Sequence, residues 1–276
     1  AVIFNSSHLF GLFSVFNPEA VKDLKLYKGG IPAEYGGRVS SVLDIKQKDG
    51  NSKKFQGEAG IGVISSKLLL EGPIQKNKSS FLVSGRSTYA HLFLKAIDNP
   101  NAAYFYDFTA KGNYIFNDKN KLMLSGYFGR DFFSLDGSFD NIYGNSFINL
   151  RWNHVFNDQL FSNLSIIAGE YVYELDLDIV GFNFRSGIQN LNFKYDFNHY
   201  LSDEFQLNYG LNSFYYVVNP GKIKPTGESS GITEDQLTKK YAIEPALFLS
   251  AEHQFTDNFS AEYGLRWSSF FRLGQD

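Results

Sequence analysis

The residue types that most often carry out chemistry are present in this chain, but their spacing does not assemble a catalytic or metal site. There is no Cys, and the five histidines lie far apart: His8, His91, His154, His199 and His253. Paired ligands of the kind that zinc requires are missing from this pattern. Neither Gly129-Arg130-Asp131 nor the Ser-rich turns place a nucleophile beside a base. Gly60-Ile61-Gly62 is not followed by a helix, as a phosphate-binding loop would be. We therefore predict that the protein is not an enzyme and holds no cofactor or metal.

Two bulk properties narrow the class of protein. The 276 residues carry a net charge of −3, so no basic excess favours a nucleic acid partner. Phe and Tyr number 28 and 17, and aromatic residues make up 17% of the chain, which is typical of sheet proteins. No run of about 18 apolar residues predicts a transmembrane helix. A transmembrane barrel would also lack such a run, because only every second residue of a strand faces lipid.

From about residue 54 onward, apolar and polar residues alternate. Phe193, Tyr195 and Phe197, for example, interleave with Lys194 and Asp196. A period of two residues is typical of strands that have one apolar and one wet face. The pattern predicts ten strands, at 55–72, 78–90, 104–117, 120–133, 145–157, 160–175, 183–200, 204–218, 240–255 and 258–272.

The connections between these strands alternate in length. Short polar turns, as at 117–120 and 256–258, alternate with longer stretches near 91–103, 134–144, 176–183 and 219–239. Outer-membrane barrels have this layout, with short periplasmic turns and longer extracellular loops. A soluble β-sandwich or soluble barrel is the alternative, but its strands usually span only ~5–6 residues. Aromatic residues beside the turns, such as Trp152 and Phe156, also favour the interfacial girdles of a membrane barrel.

The first fifty residues have a different texture. Glycine pairs stand at Gly29-Gly30 and Gly36-Gly37, and two short strands are predicted over 21–27 and 40–46. Between them, Gly and Pro enforce turns. We expect a compact α+β unit here, with a domain boundary that divides the chain into 1–50 and 51–276.

Residues 22–38 read KDLKLYKGGIPAEYGGR, and residues 40–45 read SSVLDI. This order and spacing resemble the end of the plug domain of TonB-dependent outer-membrane receptors, and the variant is similar to the receptors of Bacteroidetes. In that family a strand leads into a glycine turn, a Tyr-Gly element follows, and a small-residue turn enters a last strand. The resemblance covers the plug tail by motif and the remainder by architecture. It gives the plug motif as Gly29, Gly30, Tyr35, Gly36, Gly37 and Arg38.

The expected fold class is all-β: an antiparallel transmembrane β-barrel, partial and of about ten strands, preceded by the end of an α+β plug domain. Barrels of this family have about 22 strands around a plugged lumen. Ten strands would leave the first and last edges unpaired. We therefore expect this sequence to be part of a longer one.

One set of charges fits a contact between plug and barrel. Arg38 lies in the motif, and strand alternation points Glu262 and Arg266 towards the lumen. Charges buried at such an interface would be paired, so we expect Arg38 to dock on a barrel carboxylate. The alternative is that these residues are solvated charges lining the lumen.

The resemblance implies energised import of a nutrient, such as a metal chelate, a glycan or a peptide, across the outer membrane. Its expected partners are the TonB-ExbB-ExbD complex, acting on a segment outside this sequence, together with outer-membrane lipid and a surface lipoprotein. Two alternatives stay open. One is a passive outer-membrane porin or channel, and the other is a barrel-anchored surface binding protein.

Overall fold

Two small hairpins precede a large antiparallel sheet in the computed structural model, which describes residues 2–37, 40–226 and 230–274. The first hairpin joins β1 (Ser7–His8) to β2 (Phe13–Ser14) through a 3-10 turn at Leu9–Gly11. A second 3-10 turn, Pro18–Ala20, is capped by Asn17 and leads into β3 (Val21–Tyr27). β3 pairs with β4 (Val42–Gln47); the sequence predicts these two strands, at 21–27 and 40–46, but not their pairing. We call residues 2–50 the N-terminal segment.

The large sheet, which we call the wall, is built from neighbours in sequence, each strand pairing with the next. Its long strands are β5 (Gln56–Ile61), β6 (Ser65–Gln75), β7 (Ser79–Thr88), β8 (Ala102–Asn117), β9 (Asn120–Leu135), β10 (Phe139–Val155), β11 (Leu160–Leu177), β12 (Phe182–Tyr200), β13 (Phe205–Pro225), β15 (Lys240–Thr256) and β16 (Phe259–Ser268). Two short strands complete it: β14 (Asp235–Gln236) beside β13 and β17 (Phe271–Leu273) beside β15.

The wall is an open sheet. Its path runs from β16 to β5, and within the described ranges neither of these strands pairs along its second edge. An incomplete all-β barrel, with its first and last strands unpaired on one side, is thus confirmed for this part of the chain.

The two faces of the wall differ in chemistry, as strand alternation predicts. Leu124, Leu150, Ile166 and Phe193 lie opposite one another on four successive strands and form an apolar row. The inner face, which the N-terminal segment contacts, is mainly polar and carries neighbours of that row such as Lys194. An apolar outer face and a wet inner face are the arrangement of a transmembrane barrel.

Aromatic rings mark both ends of the apolar outer face. Beside the short turns, rings of neighbouring outward residues contact one another, including Tyr114 with Phe116 (4.9 Å) and Trp152 with His154 (5.2 Å). At the opposite, loop end, Tyr104 stacks on Phe132 at 4.9 Å. Residues 104 to 116 span about 40 Å of extended strand. When the usual tilt of the strands and the width of the rings are allowed for, this length leaves an apolar band of about 25 Å between the two sets of rings.

The structure corrects three details of the predicted strands. The first predicted strand is two, β5 and β6, joined by a hairpin whose tip is 62–64. The predicted loop 134–144 is mostly strand, and so is half of 176–183; both are closed by tight turns in which Asp136, Gly137 and Gly181 adopt positive φ. Polar alternation continues past the apolar band there, so the strands extend beyond it. The predicted loop 91–103 contains α1 (Ala90–Ala96). No helix in the described ranges is long and apolar enough to cross a membrane.

We expect Ile166→Arg, in the apolar row, to destabilise the folded protein by about 2–4 kcal/mol in lipid vesicles, because it places a charge in hydrocarbon. Glu174→Arg lies on the same face of β11, four outward positions nearer the loops and in register with the Tyr104–Phe132 pair, where Glu174 accepts a hydrogen bond from Asn183. That matched variant should cost about 0–1 kcal/mol. Urea unfolding in vesicles measures both, and equal losses would contradict the assignment of the apolar band.

Candidate functional site

The candidate site is the contact between the N-terminal segment and the inner face of the wall. Strands β1 to β4 pair only with one another in the described structure. The hydrogen bonds described between residues 2–50 and the wall each involve at least one side chain. The two bodies therefore meet through side chains rather than through a shared sheet.

The most buried part of this contact is centred on His8. Its Nδ1 lies 2.7 Å from an Asp131 carboxylate oxygen, and its Nε2 lies 3.3 Å from Asp107 and 3.1 Å from the Tyr127 hydroxyl. The imidazole is stacked on Phe105, with ring centroids 4.2 Å apart. His8, Asp107 and Asp131 are each at most 4% exposed. The ring is thus held from β8 and β9 at once.

Arg86 on β7 connects the same cluster to β2, the second strand of the first hairpin. Its guanidinium forks onto Asp107, with Nε 3.0 and 3.2 Å from the two carboxylate oxygens. Its Nη2 donates to the Ser14 carbonyl at 2.9 Å. A forked arginine–carboxylate pair fixes geometry as well as charge. Both arms of the β1–β2 hairpin are therefore bound to the wall.

The backbone between these arms is strained. Leu9 and Phe10 have φ of 47° and 57°, values that bulky L-residues rarely adopt, and Gly11 follows at 108°. Two wall side chains stabilise this turn: Asp131 accepts from Leu9 N at 2.7 Å, and the Tyr143 hydroxyl accepts from Phe10 N at 3.2 Å. The left-handed turn persists because the wall supplies both acceptors.

The charge count of this cluster favours protonated His8. Arg86 and a protonated His8 balance Asp107 and Asp131, whereas a neutral imidazole would leave one buried negative charge without a counterpart. Burial by itself would lower the pKa of His8. Hydrogen bonds and attraction from the two carboxylates outweigh that effect and raise the pKa of His8 above its ordinary value.

A second contact lies at the far side of the wall, around Arg266 on β16. Its guanidinium donates to the carbonyl oxygens of Ala33 and Glu34, at 3.2 and 3.1 Å. The space beside Gly36 is filled by this guanidinium, so a Cβ there would collide with it. Lys194 on β12 completes the contact with its ammonium 3.5 Å from the Glu34 carboxylate.

The motif residues have separate surroundings in the structure. Gly30 and Gly37 adopt positive φ, of 57° and 73°, and Gly37 lies beside Glu244 of β15. Gly29 faces open space. Tyr35 packs its ring on Tyr27 at 5.5 Å, and burial, followed by Glu34 and Asp44, raises its pKa. Glu262 lies on the inner face of β16 opposite Glu252. Arg38 lies outside the described residues, so its expected carboxylate partner stays a prediction.

Further ion pairs bind the rest of the segment to the wall. Asp49 lies 2.7 Å from the ammonium groups of both Lys111 and Lys121. Burial alone would raise the pKa of Asp49, but the two lysines outweigh it and hold that pKa below its ordinary value. Glu19 pairs with Lys67 of β6. Among the described residues, no group of three or more His, Asp or Glu is arranged to hold a metal ion.

The sequence does not predict the His8 cluster, because His8 stands there as an isolated histidine. The sequence does hold a signal for its partners Asp107 and Asp131. Each is an acidic residue at an inward position of a strand whose outward positions are aromatic. Tyr106 and Phe108 flank Asp107, and Phe132 follows Asp131. An acidic group there requires a buried cation, but the sequence does not say which one.

We expect docking of the β1–β2 hairpin to weaken as pH rises. A raised pKa means that protonation favours the docked state. That contribution is complete below the ordinary histidine pKa of about 6.5 and is lost as pH rises through the docked pKa. Hydrogen-exchange protection factors over 7–14 should therefore fall with rising pH. In His8→Gln they should be lower and insensitive over that range; an unchanged pH profile in this variant would contradict the assignment.

We also expect Gly36→Ala to loosen the second contact, because its Cβ displaces Arg266 from the Ala33 and Glu34 carbonyls. Gly29→Ala is the matched control, since open space surrounds Gly29. Protease sensitivity of residues 29–37 should increase in the first variant and stay unchanged in the second. In an Arg266→Ala background, Gly36→Ala should add little, and an additive effect would argue against this steric explanation.

Neither protein-family models nor curated protein sequences match this chain. Solved structures do. The copper transporter OprC superimposes with a TM-score of 0.73 at 10% identity, over 95% of this chain and 44% of that one. The siderophore receptor PirA from Acinetobacter baumannii gives 0.71 at 13% identity, over 91% and 44%.

The FrpB iron transporter from Neisseria meningitidis gives a TM-score of 0.67 at 17% identity, over 96% of this chain and 48% of that one. The chain thus spans less than half the length of these proteins. More than nine-tenths of this chain takes part in each of these superpositions. From this shared architecture we conclude that the chain has the fold of the TonB-dependent receptors.

Proposed function

We propose that this chain is part of a TonB-dependent outer-membrane transporter that imports a nutrient. The observation that carries the proposal is the way in which the N-terminal segment is held: inside the wall, and through side-chain contacts. Such a segment can leave the wall without breaking a backbone ladder of the sheet. Reversible departure of an internal segment is what gated import through a plugged lumen requires.

In this proposal residues 1–50 are the end of the plug and residues 51–276 are the first part of the barrel. The short turns face the periplasm and the loop end faces outside, as in other outer-membrane barrels. The TonB-ExbB-ExbD complex supplies the pull, through a part of the protein outside this sequence. A Bacteroidetes-type receptor with a partner surface lipoprotein is the narrower version of the proposal.

The substrate class is open among metal chelates, glycans and peptides. The solved structures with the same fold are named for copper, siderophore and iron transport. Their identity to this chain is 10–17%, which is too low to carry a ligand across. Copper and ferric siderophores are therefore the first compounds to assay, followed by oligosaccharides and peptides.

Uptake by cells that produce the complete protein tests the function. We expect deletion of its gene to abolish accumulation of one labelled compound. Deletion of tonB, or addition of an uncoupler, should abolish accumulation while leaving surface binding intact. Uptake that persists without TonB would favour a passive porin. Binding that never leads to uptake, in any strain, would favour a surface binding protein.

A crosslink tests whether the segment must move. Phe10 packs edge-on against Phe133 of β9, with centroids 5.4 Å apart, and this chain has no native cysteine. Crosslinking Phe10→Cys to Phe133→Cys with a short bismaleimide should block import and preserve binding. The control links Phe133→Cys to Phe139→Cys, whose parent rings lie 6.2 Å apart within the wall. Import that continues through the first crosslink would show that this contact need not open.

A further inference from the structure

The helix α1, together with Ile97 directly after it, exposes a group of apolar side chains. Leu92, Phe93 and Ile97 are 56%, 57% and 72% exposed, and they lie within about one and a half turns. Contiguous exposed apolar side chains of this kind usually mark a surface that contacts another protein or a membrane. The question is what covers them.

The helix lies on the outer side of the wall. His91 contacts the ring of Tyr104, with centroids 4.5 Å apart. Tyr104 points outward, because its neighbour Phe105 points inward and stacks on His8. Tyr89, at the start of the helix, donates its backbone N–H to Ile64 at the tip of the β5–β6 hairpin at 2.9 Å. The apolar surface of α1 is thus continuous with the apolar outer face of the wall.

The height of α1 can be read from Arg130. This residue is on the outward face of β9, where its guanidinium lies over the Phe128 ring at 4.5 Å and bonds to the carbonyls of Gly129 and Asn145. A cation that covers an aromatic ring in this way is typical of the boundary between hydrocarbon and headgroups. Tyr106 lies opposite Arg130, and Tyr104 is the next outward residue towards the loops. The helix therefore lies at this boundary.

We propose that α1 is an interfacial helix that inserts Leu92, Phe93 and Ile97 among the lipids of the leaflet at the loop end of the wall. Lys95 is exposed in the last turn of the same helix and is available to anionic lipid phosphates. Helices that combine an apolar face with cationic residues on the polar side lie at this depth. A lipid partner is favoured over a protein because the exposed surface continues that of the apolar band. The inference rests on the membrane location in the proposed function.

Single cysteines bearing a nitroxide spin label test this in the complete protein, folded into vesicles of phosphatidylcholine and phosphatidylglycerol. The test site is Phe93→Cys. Ile166→Cys, in the apolar row, is the membrane reference. Val180→Cys, 52% exposed in the β11–β12 turn, is the water reference. Collision rates with oxygen, which partitions into lipid, and with a water-soluble nickel chelate give the exposure of each label.

We expect the ratio of oxygen to nickel collisions at residue 93 to exceed that at residue 180 several-fold, and to report a depth shallower than residue 166. A residue 93 label that matches residue 180 would overturn the proposal. So would a label shielded from both reagents, because protein would then cover the helix. If residue 166 itself is exposed to water, the membrane location fails, and the proposed function with it.

Discussion

Every strand of the wall must satisfy its backbone hydrogen bonds sideways, because an apolar exterior offers none. This constraint explains the length of the strands and the pairing of each long strand with its sequence neighbour. It also explains why the described part of the chain has no long irregular stretch within the apolar band. Because the backbone groups are used in this way, the side chains alone determine the chemistry of the two faces. Outward positions are free to be apolar, and inward positions are free to be polar. Among the described residues, the hydrogen bonds and ion pairs that join the N-terminal segment to the wall use side chains of that second set.

The inner face uses this freedom unevenly. At β7–β9 the contact is buried, charged and balanced, with His8 and Arg86 matching Asp107 and Asp131. At β12 and β16 it is looser: Arg266 binds backbone carbonyls, and Lys194 divides its charge between Glu34 and Asp196. Removing one partner from a buried charge set leaves the others without compensation, whereas exposed pairs cost little to separate. The first contact therefore sets the strength of docking.

Much of the fold could be predicted from the sequence, because a two-residue period is a local signal. It locates nine of the wall strands, in number and approximate extent, and it is enough to place Arg266 on the inner face. It misses the break at 62–64, where alternation continues through a hairpin, and it misses α1, which is too short for a helical period to emerge. The partners in the site are a different problem. His8 and Asp131 are separated by 123 residues, and Arg266 and Ala33 by 233. No local pattern encodes which inward residue meets which loop.

The left-handed turn at Leu9–Gly11 makes undocking and re-docking of the β1–β2 hairpin unequal steps. On release, Leu9 and Phe10 relax at once towards the common backbone conformations of an unbound chain. Return requires both residues to revisit conformations that L-residues seldom sample, before Asp131 and Tyr143 can accept their hydrogen bonds. Re-docking therefore carries a conformational cost of about 1–2 kcal/mol for each of these two residues, and undocking releases it. In the proposed transporter, that cost would lower the rate at which the segment closes again, compared with a turn made of residues that favour the left-handed region.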